Sequence, residues 1–294
     1  MAEQTKKLPA IRACLFDMDG LLIDSEDLYT ICTNAVLREY GKPDLPWSIK
    51  AQMQGRPGPQ AAAIFHAFAR LPITHDEFMA KQGALQREHF PKAQPLPGVV
   101  RLLDDLTKRT GGAKEGEKEG GDSKKKKKKV HVALATSSHA GNYALKTAHL
   151  PDLFAVFPDE NRVLGDDARI EKGRGKPLPD IYLLALETVN ARLRREGAAE
   201  EDLVRPEECL VFEDSVPGVE AGRRAGMQVV WCPHPGLAEE YRGREGEVLA
   251  GRTGEHKGLD DERSGRVGEI GDGWAVHLES LVDFPYERFG IEVV

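Results

Sequence analysis

Apolar residues along this chain fall into two kinds of pattern. Short, mostly apolar runs occur at Ile11–Phe16, broken by Arg12, and at Val130–Ala135, Leu153–Phe157, Glu208–Phe212 and Met227–Cys232. Runs of this length, flanked by polar residues and glycine, predict five buried strands of a parallel sheet. Between them, apolar positions recur at helical spacing. Leu28, Ile31, Cys32, Ala35 and Val36 predict a helix over Asp24–Tyr40, closed by Gly41 and Pro43. Trp47–Gln54, ended by Gly55, and Pro59–Arg70 predict two more. Thr74 with Glu77 matches a capping box and starts a fourth, running towards His89. After a hinge-like Pro95-Leu96-Pro97-Gly98, Val99–Arg109 is amphipathic. Helices also follow the second, third and fourth runs: one from about Ala140, one reaching Arg195, and one over Gly218–Ala225.

Strands alternating with helices predict an α/β fold, a Rossmann-like doubly wound parallel sheet. The four helices of residues 26–92 interrupt that alternation and form a separate helical layer. The expected division is therefore a core of residues 1–25 and 93–294 with residues 26–92 inserted as a helical cap. Two stretches break the pattern again. Residues 110–129 contain no core-forming composition and end in six lysines, Lys124–Lys129. Residues 241–273 hold nine glycines in 33 positions. Both are expected to be flexible surface insertions.

Composition narrows the setting. A length of 294 residues suffices for a full core. A net charge of −7 gives no general attraction to nucleic acid or anionic membrane. No apolar stretch approaches the roughly 20 residues that span a bilayer, and the first ten residues lack a signal-peptide core. The four cysteines, Cys14, Cys32, Cys209 and Cys232, are widely separated. They predict reduced thiols and hence a cytoplasmic protein, with the nucleus as the alternative suggested by the lysine run; a monomer is expected. The nine histidines form no zinc-type spacing.

The chemistry-bearing residues stand at strand ends, where ligands bind in open α/β sheets. Asp17 and Asp19 follow the first run and Gly20 turns the chain. Two close carboxylates are costly without a cation, and Mg²⁺ is the hard ion expected to bind oxygen ligands of this kind. Thr136 and Ser137 follow the second run and open a helix, a corner suited to phosphate. Gly175-Lys176-Pro177-x-Pro179-Asp180 brings a lysine from a loop. Glu213-Asp214-Ser215 ends the fourth run with a second acidic cluster.

Four motifs in this order resemble those of the haloacid dehalogenase superfamily with an inserted helical cap. Within it, Leu134–Ser138, Val163–Asp167, Gly175–Pro177, Cys209–Asp214 and Ala225–Val230 look most like the pseudouridine-5′-phosphatase type. The resemblance implies a Mg²⁺-dependent phosphatase of a small phosphorylated metabolite, a sugar or nucleoside phosphate, working through an aspartyl phosphate. Asp17 would be the nucleophile. Asp19, kept protonated by its surroundings, would be the general acid and then the base. Thr136, Ser137 and Lys176 would hold the phosphoryl group. Asp17, the backbone carbonyl of Asp19, and Asp214 would bind the metal, with Glu213 as a further ligand. Gln54-Gly55-Arg56 sits where related caps lower a loop, so Arg56 would touch substrate. A phosphomutase of β-phosphoglucomutase type, or a catalytically silent binding protein, are the alternatives.

Overall fold

The computed structural model describes residues 8–56, 58–110, 129–254 and 262–293. Residues 111–128 of the first expected insertion, including Lys124–Lys128, lie outside the described residues, as do 255–261 of the second.

The sheet has six parallel strands: β1 (Ala13–Phe16), β2 (His131–Ala135), β3 (Arg162–Val163), β4 (Cys209–Glu213), β5 (Gln228–Trp231) and β6 (Ala275–His277). Their order is β3-β2-β1-β4-β5-β6. Alternation along each strand divides the core in two. Cys14 and Phe16, Val132 and Leu134, and Leu210 and Phe212 pack on one face. Ala13 and Leu15, Ala133 and Ala135, and Cys209 and Val211 pack on the other. Phe16 stacks on Phe212 at 4.4 Å between ring centres and packs edge-on to Phe157. Burying side chains of this size contributes about 1.5–3 kcal/mol each.

Register decides what the sheet presents. Phe16 pairs with Leu134 on one side and Phe212 on the other. One residue later, Asp17, Ala135 and Glu213 therefore stand level at the carboxyl edge. The first strands thus place three motifs along one line although the chain brings them from far apart.

Four helices form the inserted layer: α1 (Ser25–Glu39), α2 (Trp47–Met53), α3 (Gly58–Ala69) and α4 (His75–His89). They bury their own small cluster of Val36, Leu37, Phe65, Ala69 and Phe78. The Thr74–Glu77 capping box is present, with both reciprocal bonds made. Such caps are worth about 1 kcal/mol. The two crossings between core and cap are tied together: Asp24 N–H donates to the Gln94 carbonyl and Gln94 N–H returns to Asp24 Oδ1.

The core helices are α5 (Val99–Lys108), α6 (Ala140–Thr147), α7 (Pro151–Phe154), α8 (Asp180–Arg195), α9 (Val216–Arg224), α10 (Pro235–Glu240) and α11 (Glu245–Ala250). Helices α5, α6 and α7 lie on the Phe16 side, and α8 and α9 on the other.

Two sequence expectations need correction. Leu153–Phe157 is not a strand: Pro151 starts the short α7, and Phe154 and Phe157 enter the core from a helix and turn. The third strand is instead the two-residue β3. A short apolar run does not by itself separate the two conformations. The stretch 241–273 also differs from a flexible insertion in its described part. It contains α11, and Tyr241, Val248 and Ala250 are buried in the core. Strand β6 follows as the sixth strand, where the sequence predicted only a return to order.

Candidate active site

The carboxyl edge of β1 and β4 holds a buried cluster of charge. Asp17 is 5% exposed and Lys176 1%. Lys176 Nζ lies 2.5 Å from Asp17 Oδ1 and 2.6 Å from Glu213 Oε1, and donates to the Ala135 carbonyl at 3.3 Å. Glu213 is held on both sides. Its Oε1 also accepts from Tyr182 on α8 at 2.5 Å, and its Oε2 accepts from the Ser215 N–H and hydroxyl. Gly218 permits this, because a Cβ there would collide with the Glu213 carboxylate. Gly20, in the left-handed region at φ +73°, likewise leaves room for Asp214 Oδ2.

Oxygens of Asp17, Glu213 and Asp214 all lie within 4.8 Å of one another. Burial pushes the Asp17 carboxyl up to about 7; Lys176 opposes that, while Glu213 and Asp19 add to it. Asp214 is raised well above the carboxylate range by burial and then by Asp17 and Glu213. For Lys176, burial works against the charge, but Asp17 and Glu213 win and raise its pKa. Three buried carboxylates thus share one ammonium. The cluster lacks positive charge, and a divalent cation with oxygen preference fits that deficit.

Asp19 has a different set of partners. Ser25 Oγ donates to its Oδ1 at 2.5 Å and Ser138 Oγ to its Oδ2 at 2.6 Å. The fully buried Lys146 pairs with Oδ1 and also donates to Ser138 Oγ at 2.6 Å and to the Tyr29 hydroxyl at 3.3 Å. Burial pushes the Asp19 pKa up, but the Lys146 charge and the three hydrogen bonds outweigh it and leave it lowered. The expectation that the surroundings keep Asp19 protonated is therefore corrected. They favour the carboxylate.

Thr136 continues the β2 ladder, donating its N–H to the Val163 carbonyl at 3.0 Å, while its hydroxyl accepts from Ser138 N–H at 3.1 Å. A Cβ at Gly165 would collide with the Ser137 carbonyl, so the β3 loop closes tightly under this turn.

The cap closes over the same edge. Gln54 Nε2 donates to Asp214 Oδ2 at 2.5 Å. A Cβ at Gly55 would stand 2.5 Å from Ser215 Oγ. Trp47 stacks on His234, ahead of α10, at 4.6 Å between ring centres. Between cap and core lies a cavity of about 830 Å³. Asp17, Asp19, Thr136, Ser137, Lys176, Asp214 and Arg56 all line it. Glu213 is the one sequence-predicted site residue not among the lining residues. It sits behind Lys176, and both its oxygens already accept from protein donors.

Lys146, Tyr182, Ser25 and Gln54 carried no role in the sequence reading. For Lys146 a signal existed. It shares helical spacing with Tyr143 and Leu150, both packed against the core, so a lysine stood on an inward face. For Tyr182, inward spacing alone gives no hint of its Glu213 partner.

Comparison with known proteins agrees with this geometry. A model of the haloacid dehalogenase-like hydrolase family matches residues 11–226. A Saccharomyces cerevisiae protein named "Probable pseudouridine-5′-phosphatase" is 40% identical over 243 residues, 83% of this chain and 91% of its own. The (DL)-glycerol-3-phosphatase 2 of Arabidopsis thaliana is 32% identical over 230 residues, 78% of this chain and 82% of its own. Among solved structures, a family IA haloacid dehalogenase hydrolase from Entamoeba histolytica covers 95% of this chain and 97% of its own with a TM-score of 0.60, at 19% identity. The fold and site define a hydrolase with a carboxylate-rich centre under a helical cap. The chain belongs to the haloacid dehalogenase-like hydrolases. Among the described residues no helix is long and apolar enough to cross a membrane.

Proposed function

We propose that the chain is a Mg²⁺-dependent phosphatase of small phosphomonoesters, with a sugar or nucleoside phosphate such as pseudouridine 5′-phosphate as substrate. The observation that carries this is Lys176 bridging Asp17 and Glu213 beside Asp214 at one cavity wall. The names of the yeast and plant relatives supply the substrate range.

Asp17 and Asp214, with the Asp19 backbone carbonyl, would hold the cation. Glu213 could join only by giving up bonds to Lys176 and Tyr182 or to Ser215. A bound Mg²⁺ would supply charge neutralisation between the nucleophile and the phosphoryl oxygens. Lys176 does the same from the protein side, since a phosphoryl dianion and a carboxylate repel. Thr136 and Ser137 orient the phosphoryl oxygens at the head of α6.

Asp17 attacks phosphorus, the ester bond breaks, and the leaving alkoxide takes a proton from Asp19. Arrival of the dianion works against ionisation of Asp19 and lets it carry that proton. Asp19, now a carboxylate, takes a proton from water as the water attacks phosphorus. The bond to Asp17 breaks and inorganic phosphate leaves. The closed cap keeps other water out.

Phosphate release from pseudouridine 5′-phosphate, glycerol 3-phosphate and deoxyhexose phosphates, with Mg²⁺ and no bisphosphate activator, tests the reading. Release separates a phosphatase from a mutase. No release across the panel would reject it.

A further inference from the structure

One buried ion pair in the cavity wall takes no part in this mechanism. Glu26, in the first turn of α1, and Lys50, on α2, both line the cavity. Lys50 Nζ lies 3.3 Å from Glu26 Oε2 and donates to the Glu26 carbonyl at 2.9 Å and to Thr30 Oγ1 at 2.6 Å. It also sits over the Trp47 ring at 4.4 Å. Its donors are thus turned towards α1. The carboxylate is different. No donor among the described residues reaches Glu26 Oε1.

Position strengthens the point. A Cβ at Gly20 would lie 2.6 Å from Glu26 Cγ and would also collide with Asp214 Oδ2. Glu26 therefore borders the acidic centre, on its cap side. An acidic residue in a first turn is ordinarily explained by the helix dipole. That role needs neither burial nor a lysine. Here the side chains are only 14% and 7% exposed, and desolvating two charges is costly unless the pair does something besides hold the fold.

We propose that Glu26, fixed by Lys50, recognises the leaving alcohol. Its free oxygen accepts a hydrogen bond from a hydroxyl of that alcohol, so the enzyme selects phosphomonoesters of polyhydroxylated alcohols over those of simple ones. The inference rests on the phosphatase reading and adds the feature of the substrate that is read. A cavity of about 830 Å³ leaves ample room beyond the phosphoryl group for such an alcohol.

Two matched substrate pairs test it: glycerol 3-phosphate against n-propyl phosphate, and ribose 5-phosphate against tetrahydrofurfuryl phosphate, the same ring without its hydroxyls. The readout is the ratio of kcat/KM within each pair, which cancels any loss common to both members. The wild-type protein should favour the hydroxylated member at least about tenfold in one or both pairs, as expected for a hydrogen bond to a buried charge. The double variant Glu26→Leu with Lys50→Met avoids stranding a buried charge and should bring that ratio below about threefold. Should this variant fail to fold, Glu26→Gln keeps an acceptor oxygen without the charge. It should lower the ratio by at least about threefold. No preference in the wild type, or a preference unchanged in the variant, overturns the assignment. Absence of phosphate release from all four esters would instead strike the phosphatase reading itself.

Discussion

Gln54 of the cap donates to Asp214 of the core at 2.5 Å, so the lowered cap and the acidic edge share a hydrogen bond. The other amide atom, Gln54 Oε1, is buried with no hydrogen-bond partner among the described residues. Gln54→Leu removes the contact. Loss of the bond to a charged group should lower kcat/KM by about tenfold and raise the Mg²⁺ concentration needed for half-activity. A Mg²⁺ titration of phosphate release checks this; an unchanged half-activation point would separate the cap from the acidic edge.

Gly55 tests closure in another way. Its φ of +72° favours glycine, and a Cβ would stand 2.5 Å from Ser215 Oγ and 2.9 Å from Ser215 Cβ. Gly55→Ala should hold the cap loop off α9 and cut kcat/KM by about 10- to 100-fold. The backbone itself should lose only about 1 kcal/mol. Kinetics beside thermal melting tells these apart. A Tm loss matching the activity loss would mean that the loop serves stability alone.

Lys146 should govern the acid side of the rate profile. With Ser138 and Ser25 it lowers the Asp19 pKa against the effect of burial. Lys146→Met removes the charge, so Asp19 should hold its proton to higher pH. The limb of kcat that needs the Asp19 carboxylate against water then moves upward in pH. On the acid side of the moved limb kcat should fall, and at higher pH it should recover towards the wild-type value. A pH–rate profile with an unmoved acid limb would show that Lys146 only fills space.

Away from the site, His131 should set part of the acid stability. Burial, then the charges of Arg192, Lys129 and Arg12, lower its pKa from 6.5 to about 4. Its Nδ1 lies 3.0 Å from Arg192 NH2 and must accept there, which requires the neutral ring. Between these values the unfolded chain binds a proton that the folded chain does not. Stability is therefore full above pH 6.5 and is lost as pH falls towards 4, by about 3 kcal/mol from this group. Denaturant melts across that range should show a shallower acid slope for His131→Gln. Equal slopes would refute it.

Much of this architecture was legible because the sequence marks it locally. Alternation and run length located β1, β2, β4 and β5, and the Thr74–Glu77 box marked the start of α4. Asp17, Thr136 and Asp214 were legible because each stands directly after a strand, and parallel register then brings strand ends level. Lys176 was legible only through its motif. What was not legible depends on contacts between distant segments. Phe154 and Phe157 reach the core equally well from a strand or a turn. Lys146, Tyr182 and Glu26 are charged or polar residues on helices, and only the fold shows which partner each one meets. The state of Asp19 followed from three donors on three segments, Ser25, Ser138 and Lys146, which no spacing in the chain brings together.

In the proposed mechanism Asp17 itself takes the phosphoryl group. Acid quenching during turnover of a hydrolysed ester, followed by mass spectrometry of the peptide containing Asp17, tests it most directly. One phosphoryl group is expected on Asp17, absent from Asp17→Asn, which should also release no phosphate. Steady turnover by Asp17→Asn, or a phosphoryl group on another residue, would contradict it.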